Sequence, residues 1–240
     1  MIIDTLLQLD TSIFLFFNGM HTQLLDRLMM ILTSRYVWIP LYIAIAAYIF
    51  KSFGSKLGGI YILAIAVAIA LTDQTCATLI RPMVERLRPS NPANPISSLV
   101  LLVDGYRGGS YGFPSCHAAN SFALATCAWL LIRRAKVTAF IFGWAILNSY
   151  TRLYVGVHYP GDLLVGALIG SAIAVLVCLP ILTVQKMHRR DALSEIGRPR
   201  FRLQLPQQPF ASSVGITFGD MTIAVGLLTV IIVAVYCAVF

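Results

Sequence analysis

The apolar residues of this chain come in long runs, at about 36–54, 57–80, 118–134, 137–154, 161–185 and 219–240. Each run is near the ~20 residues that a helix needs to cross a bilayer. In lipid every backbone N–H and C=O must be satisfied within the segment or a closed barrel, so runs of this length imply helices. Their residues do not alternate with a 3.6 or 2.0 period, which argues against a soluble amphipathic bundle or a half-buried sheet. Composition agrees: 58% of the residues are hydrophobic and 12% charged, against about half and a quarter in soluble domains. The sequence therefore predicts an all-α, polytopic membrane helix bundle with six transmembrane helices, and no room for a second large domain.

Residues 1–22 are apolar but interrupted by Asp4, Asp10 and Asn18. They lack the basic start of a signal peptide, and Asp10 would sit badly in a span. The stretch reads as an amphipathic helix lying in the membrane interface. Residues 23–240 then form the membrane domain, with a core at about 57–185, a basic loop at 186–218 and an extra C-terminal span at 219–240.

The net charge is +8. In a soluble protein that would raise nucleic acid as a partner, but here the basic residues lie in short loops between apolar runs, where they set topology and meet anionic headgroups. With six spans, one side of the membrane carries Lys51, Lys56, Arg133, Arg134, Lys136, Lys186, Arg189, Arg190, Arg198, Arg200 and Arg202, eleven of the 18 basic residues. The other carries Arg27, Arg35, Arg81, Arg86, Arg88, Arg107 and Arg152. The positive-inside rule puts the first side in the cytoplasm. The 81–117 loop and both termini then face the periplasm or the exterior. The five cysteines, mostly inside apolar runs, match neither a zinc site nor a disulfide framework.

Three clusters of chemically capable residues fall on that outer side: Arg81 through Arg88-Pro89, then Pro114-Ser115-Cys116-His117, then Thr151-Arg152 with His158 and Asp162. Three guanidinium groups can surround a tetrahedral anion, each donating two hydrogen bonds in one plane. Ser115 is placed to cap the third span, whose free N–H groups favour phosphate. His158 can attack phosphorus if one ring nitrogen is free, Asp162 can orient that ring, and His117 can protonate a leaving oxygen.

These motifs resemble the type-2 phosphatidic acid phosphatases, relatives of glucose-6-phosphatase and the vanadium haloperoxidases. Their pattern reads here as Arg81-x6-Arg88-Pro89, Pro114-Ser115-Cys116-His117 and Thr151-Arg152-x5-His158-x3-Asp162. Three positions depart from it: Arg81 stands for lysine, Cys116 for glycine and Thr151 for serine. Cysteine keeps the backbone N–H that the family uses to hold phosphate but loses the conformational freedom of glycine. The resemblance implies a phosphohistidine on His158, His117 as acid and then base, and Asp162 behind His158. It also implies phosphate held by Arg81, Arg88, Ser115, Cys116 and Arg152, with no metal or other cofactor.

Outside the pattern, Arg86 and Arg107 read as headgroup contacts, His21 and His188 as structural residues, and Asp73 as an intramembrane carboxylate, either behind the site or a polar packing contact facing the bundle interior. The leading function is a lipid phosphatase acting on a lipid phosphate or diphosphate. Undecaprenyl diphosphate comes first among its substrates, with lipid A and phosphatidylglycerol phosphate as alternatives. The implied partners are the lipid substrate and membrane lipids, with no nucleic acid and no obligate protein partner. An anion transporter is the alternative from another class; its site would lie near the bilayer midplane rather than at span ends. Metal-dependent hydrolysis through His117, His158 and Asp162 would lack a clear fourth ligand.

Overall fold

The structure is a computed structural model describing residues 2–196 and 217–239. Its described residues form eight α-helices, with two 3-10 turns, a π-helical turn and one isolated β-bridge between Leu87 and Tyr111. The helices are α1 (Ile2–Asn18), α2 (Gln23–Leu32), α3 (Ile39–Gln74), α4 (Arg81–Val84), α5 (Cys116–Leu131), α6 (Ala135–Tyr154), α7 (Pro160–Ile196) and α8 (Phe218–Val239).

Local chemistry sets the ends. Thr22 caps α2 by accepting a hydrogen bond from Leu25 N–H, and Ser115 caps α5 by accepting one from Ala118 N–H. Pro40, Pro82 and Pro160 stand in the first turns of α3, α4 and α7, where their missing N–H costs nothing. α3 is two helices joined at Gly54, whose φ of 73° is left-handed and suits glycine. A straight helix would hold residues 50 and 58 about 12 Å apart. Instead a Cβ on Gly58 would lie 3.3 Å from Phe50 Cα, and the Phe53 and Tyr61 rings meet at 4.9 Å. The chain folds back here, at the break the sequence places between 54 and 57.

The second half of α3 runs on through a π-helical turn, Thr75–Ile80, into α4, and ends where Glu85 turns left-handed at φ 49°. This carries Arg81 onto the helix rather than into the following loop.

α5 lies at the centre of the bundle, packed by α3, α6 and α7. A Cβ on Gly166 would lie 2.5 Å from the Ser115 carbonyl oxygen, and one on Gly170 only 2.0 Å from that of Ala119. These two glycines on one face of α7 let the backbones of α5 and α7 touch. Close backbone approach matters here because lipid supplies no hydrophobic drive between helices, leaving packing and polar contacts to hold them.

Among the described residues three helical stretches are long and apolar enough to cross a membrane: Arg35–Val84, which contains the reversal, Pro160–Met187 and Phe218–Val239. Helical segments stand where the sequence places all six spans, but α5 has 16 residues, about 24 Å, which is short of a ~30 Å hydrocarbon core. It stops at Leu131 rather than 134 because Arg133 takes a left-handed φ of 56°. α7 continues to Ile196, so the loop expected from 186 begins about three turns late; no Gly or Pro stands between Gln185 and Ile196 to stop the helix. Residues 197–216 of that loop, and the side chain of His188, lie outside the described residues. α2 has no counterpart in the sequence reading.

α1 packs against α6 and α7. Its inner side carries buried Phe14, against the Tyr159 ring at 5.4 Å, and buried Asn18, bonded to the carbonyls of Leu101 and Tyr154. Ile3, Leu6 and Phe16 remain exposed on its outer side.

Candidate active site

The segment 85–115 is a packed cap rather than an open loop. Arg88 N–H donates to Ser110 C=O at 3.1 Å and Gly112 N–H to Arg86 C=O at 2.9 Å, holding its two arms together. Arg107, exposed, also clamps the loop by donating from Nη1 to the Ser90 carbonyl at 2.6 Å. Asn94 ties the cap to the α6–α7 connection by donating to the Tyr159 hydroxyl at 3.0 Å.

His158 sits in that connection and is 1% exposed. Its Nδ1 faces Asp162 Oδ2 at 3.4 Å, while Arg88 Nη1 lies 2.9 Å from its Nε2. A guanidinium can only donate, so Nε2 is the acceptor and Nδ1 carries the proton toward Asp162. That tautomer leaves the Nε2 lone pair on the cavity side. Burial, together with Arg88, Arg152 and Arg81, pushes the imidazole pKa well below its usual value and keeps it neutral.

Asp162 is fully buried in the first turn of α7. Its Oδ2 also accepts Tyr159 N–H at 3.0 Å, and its Oδ1 accepts Arg86 Nη1 at 2.8 Å. Arg86, taken from the sequence as a headgroup contact, is thus corrected to a partner of Asp162. It also pairs with Asp10 of α1 at 2.7 Å and lies 4.0 Å over the Tyr159 ring.

Arg81, Arg88, Arg152, Cys116, His117 and His158 line one cavity of about 670 Å³. Among the described residues none of these three arginines is ion-paired, and each has a buried Nε–H without a partner. Arg81 Nη2 donates to Pro114 C=O and to Cys116 Sγ, both at 3.0 Å. Arg152 Nη1 donates to Thr33 Oγ1 at 2.8 Å and Nη2 to the Tyr106 hydroxyl at 3.3 Å. Burial, then Arg152 and Arg81, lowers the Arg88 pKa to about 10. Three cations without counter-ions, Arg88 and Arg152 buried and Arg81 half-buried, define a place for a multivalent anion.

His117 lines the same cavity and makes no hydrogen bond to the described residues. Ser115 and Asp162 stand behind the cavity rather than in its wall: Ser115 caps α5, and its N–H donates to Asp162 C=O at 3.0 Å. Cys116 opens α5 without a left-handed φ, so the freedom of glycine is not needed there. His21 is structural, paired with Asp26 at 2.8 Å and stacked on Tyr154 at 4.4 Å.

The sequence reading missed Arg86, Asp10, Thr33, Tyr106 and Gly112. A Cβ on Gly112 would lie 3.1 Å from Asp162 Oδ2 and 3.2 Å from Arg88 Cγ. The nearest local signal for Gly112 is its place two residues before Pro114, and for Arg86 its place two residues before Arg88; Tyr106 lies in the cap outside the pattern, and Asp10 and Thr33 touch the site from segments distant in sequence.

A helical membrane bundle presenting two histidines and three unpaired arginines at one end fits phosphoryl chemistry, and its relatives share that chemistry: the protein is a membrane lipid phosphatase, a phosphoric monoester hydrolase. The chain belongs to the PAP2 superfamily, whose pattern matches residues 57–185. It is 50% identical over 169 residues to the lipid A 4'-phosphatase of Bacteroides thetaiotaomicron, covering 70% of this chain and 75% of that protein. It is 31% identical over 172 residues to the undecaprenyl-diphosphatase of Sulfolobus acidocaldarius, covering 70% and 76%. Among solved structures it resembles LpxE of Aquifex aeolicus, with a TM-score of 0.53 and 27% identity over 70% of this chain and 94% of that one.

Proposed function

We propose that this phosphatase removes a phosphate monoester from a phosphorylated glycolipid of the lipid A type, through a phosphohistidine on His158. The observation that carries the reaction is the convergence of three unpaired arginines on the cavity that holds His158 and His117. Phosphate oxygens take the free guanidinium N–H groups, and Arg88 turns from Nε2 to the substrate. His158 Nε2 attacks phosphorus as the ester P–O bond breaks. His117, held neutral before substrate binds by burial and Arg152, is protonated when the phosphate dianion binds beside it and gives that proton to the departing oxygen. Water then attacks the phosphohistidine, His117 takes the water's proton, and the P–N bond breaks to release phosphate. Asp162 holds Nδ1–H throughout, in the manner of a triad carboxylate.

The cavity supports the glycolipid reading. One turn inward from His117, Asn120 Nδ2 donates to Asp73 Oδ1 at 2.9 Å, and Asn120 Oδ1 is buried without a partner. Both residues line the cavity, followed by apolar Ile65, Ile69 and Leu124. Oxygen acceptors suit a headgroup bringing its own O–H and N–H groups, as a sugar does; a polyprenyl chain brings none. Together with the 50% identity to a lipid A 4'-phosphatase, this reverses the substrate order read from sequence and puts undecaprenyl diphosphate second. In the same reading α1 lies in the interface with its apolar side in lipid, the site faces the periplasm or exterior, and the basic side faces the cytoplasm.

The test is phosphate release by purified protein from lipid A bisphosphate, undecaprenyl diphosphate and an activated aryl phosphate, with and without EDTA. The highest kcat/KM is expected on lipid A, unchanged by chelator. His158→Ala should abolish turnover of all three; His117→Ala should spare the aryl phosphate, whose leaving group needs no proton. Faster turnover of undecaprenyl diphosphate would overturn the substrate, and EDTA loss restored by a divalent ion would overturn the chemistry.

A further inference from the structure

We propose that Asp10, on the N-terminal helix, is a positioning residue for the reaction at His158. Asp10 lies 151 residues before Gly161, yet its Oδ1 accepts the Gly161 N–H at 2.7 Å. That N–H is one of the free donors at the start of α7, so a carboxylate from α1 caps the helix that carries Asp162. Its Oδ2 takes Arg86 Nη2 at 2.7 Å, while Arg86 Nη1 takes Asp162 Oδ1 at 2.8 Å. The guanidinium fork is thereby fixed by two carboxylates at once, and its plane rests on the Tyr159 ring. Gly161 permits the approach: a Cβ there would lie 3.0 Å from Asp10 Oδ2.

The charge balance gives this contact a chemical role. Arg86 and Asp162 alone form a neutral pair. Adding Asp10 leaves a net charge of minus one behind His158. When Nε2 of His158 bonds to phosphorus while Nδ1 keeps its proton, the ring becomes a cation. A net negative group behind that ring stabilises the charge as it develops, in a buried site where such terms are large. Without Asp10, the full charge of Arg86 would fall on Asp162 and compete with the His158 Nδ1–H for its lone pairs. The loss belongs to the chemical step and not to phosphate binding, because Asp10 and Arg86 do not line the cavity.

This inference rests on the reading of His158 as the nucleophile. The test uses the full chain in lipid nanodiscs with p-nitrophenyl phosphate and acid-quench trapping of phosphohistidine. Asp10→Asn keeps an oxygen for Gly161 N–H while removing the charge. It is expected to lower kcat and the phosphorylation rate about tenfold, one link further out than a triad carboxylate, with KM within twofold and the melting temperature unchanged. Arg86→Gln is expected to lower kcat by a similar factor, and the double variant should fall no further than either single one, because both act on Asp162 together. Wild-type kcat in Asp10→Asn, or multiplicative losses in the double variant, would overturn the role. Trapping of phosphate on a residue other than His158 in the unmodified protein would instead overturn the nucleophile, whatever the kinetics of the variants.

Discussion

His158 is held neutral by burial first and by Arg88 second. An unfolded chain protonates a histidine near 6.5, so on falling pH the unfolded state takes up this proton before the folded state does. Stability from this group is therefore present above about 6.5 and declines as pH falls below it. Arg88→Gln removes one of the cations that depress the imidazole. A histidine-selective NMR titration should then place the His158 midpoint higher than in the unmodified protein yet still below about 6.5, since burial remains. A midpoint that stays put or moves lower would show that Arg88 exerts no charge effect there. At this scale the sequence announces residues whose spacing is rigid: Arg152, His158 and Asp162 occupy the end of α6, the connection and the first turn of α7. It is silent on Asp10 and Arg86, because a contact across 76 residues leaves no local pattern.

At the scale of elements, the meeting of α5 and α7 sets where the site residues can be. Ser115 N–H bonds Asp162 C=O where the two helices begin, and Gly166 and Gly170 press them together below. Gly170→Ala should therefore cost at least the ~1–3 kcal/mol typical of overpacking, because its Cβ would meet backbone oxygen at 2.0 Å and not a movable side chain. Gly59→Ala is the matched control: nothing lies within 4 Å of its Cβ, and alanine is the better helix former by roughly 0.5–1 kcal/mol. Thermal unfolding in detergent should show Gly170→Ala melting lower and Gly59→Ala no lower than the parent. Equal melting temperatures would mean that α7 can shift away from α5 freely. Helix positions were readable from apolar runs. Which faces meet was not, since both α5 and α7 are apolar nearly all round and periodicity selects no side.

For the whole molecule, the distribution of lysine and arginine predicts the orientation. Single cysteines at Ser98 in the cap and Ser55 beside the reversal, both exposed, in a background without the five native cysteines, separate the two faces. An impermeant thiol reagent on intact cells should label Ser98→Cys and spare Ser55→Cys; the opposite pattern would invert the protein. The bundle itself was legible because the length of an apolar run is a physical requirement of the bilayer. The lengthened α7, the short α5 and the separate α2 were not, because the length of an apolar run marks neither a polar continuation without a breaker, as after Gln185, nor a left-handed stop, as at Arg133.

The 2.9 Å contact between Arg88 and Nε2 of His158 has a consequence for discrimination. In the resting enzyme the reactive lone pair is masked by the residue that the proposed mechanism turns toward the phosphate. An electrophile that carries no oxyanion gives Arg88 nothing to turn toward, so it meets a histidine already engaged. In the proposed mechanism a phosphorylated headgroup would draw the guanidinium away by its own charge and so unlock the ring. On the proposed mechanism such selectivity needs no lid: the ligand's own charge is the key, and an uncharged ester of the surrounding lipid carries none.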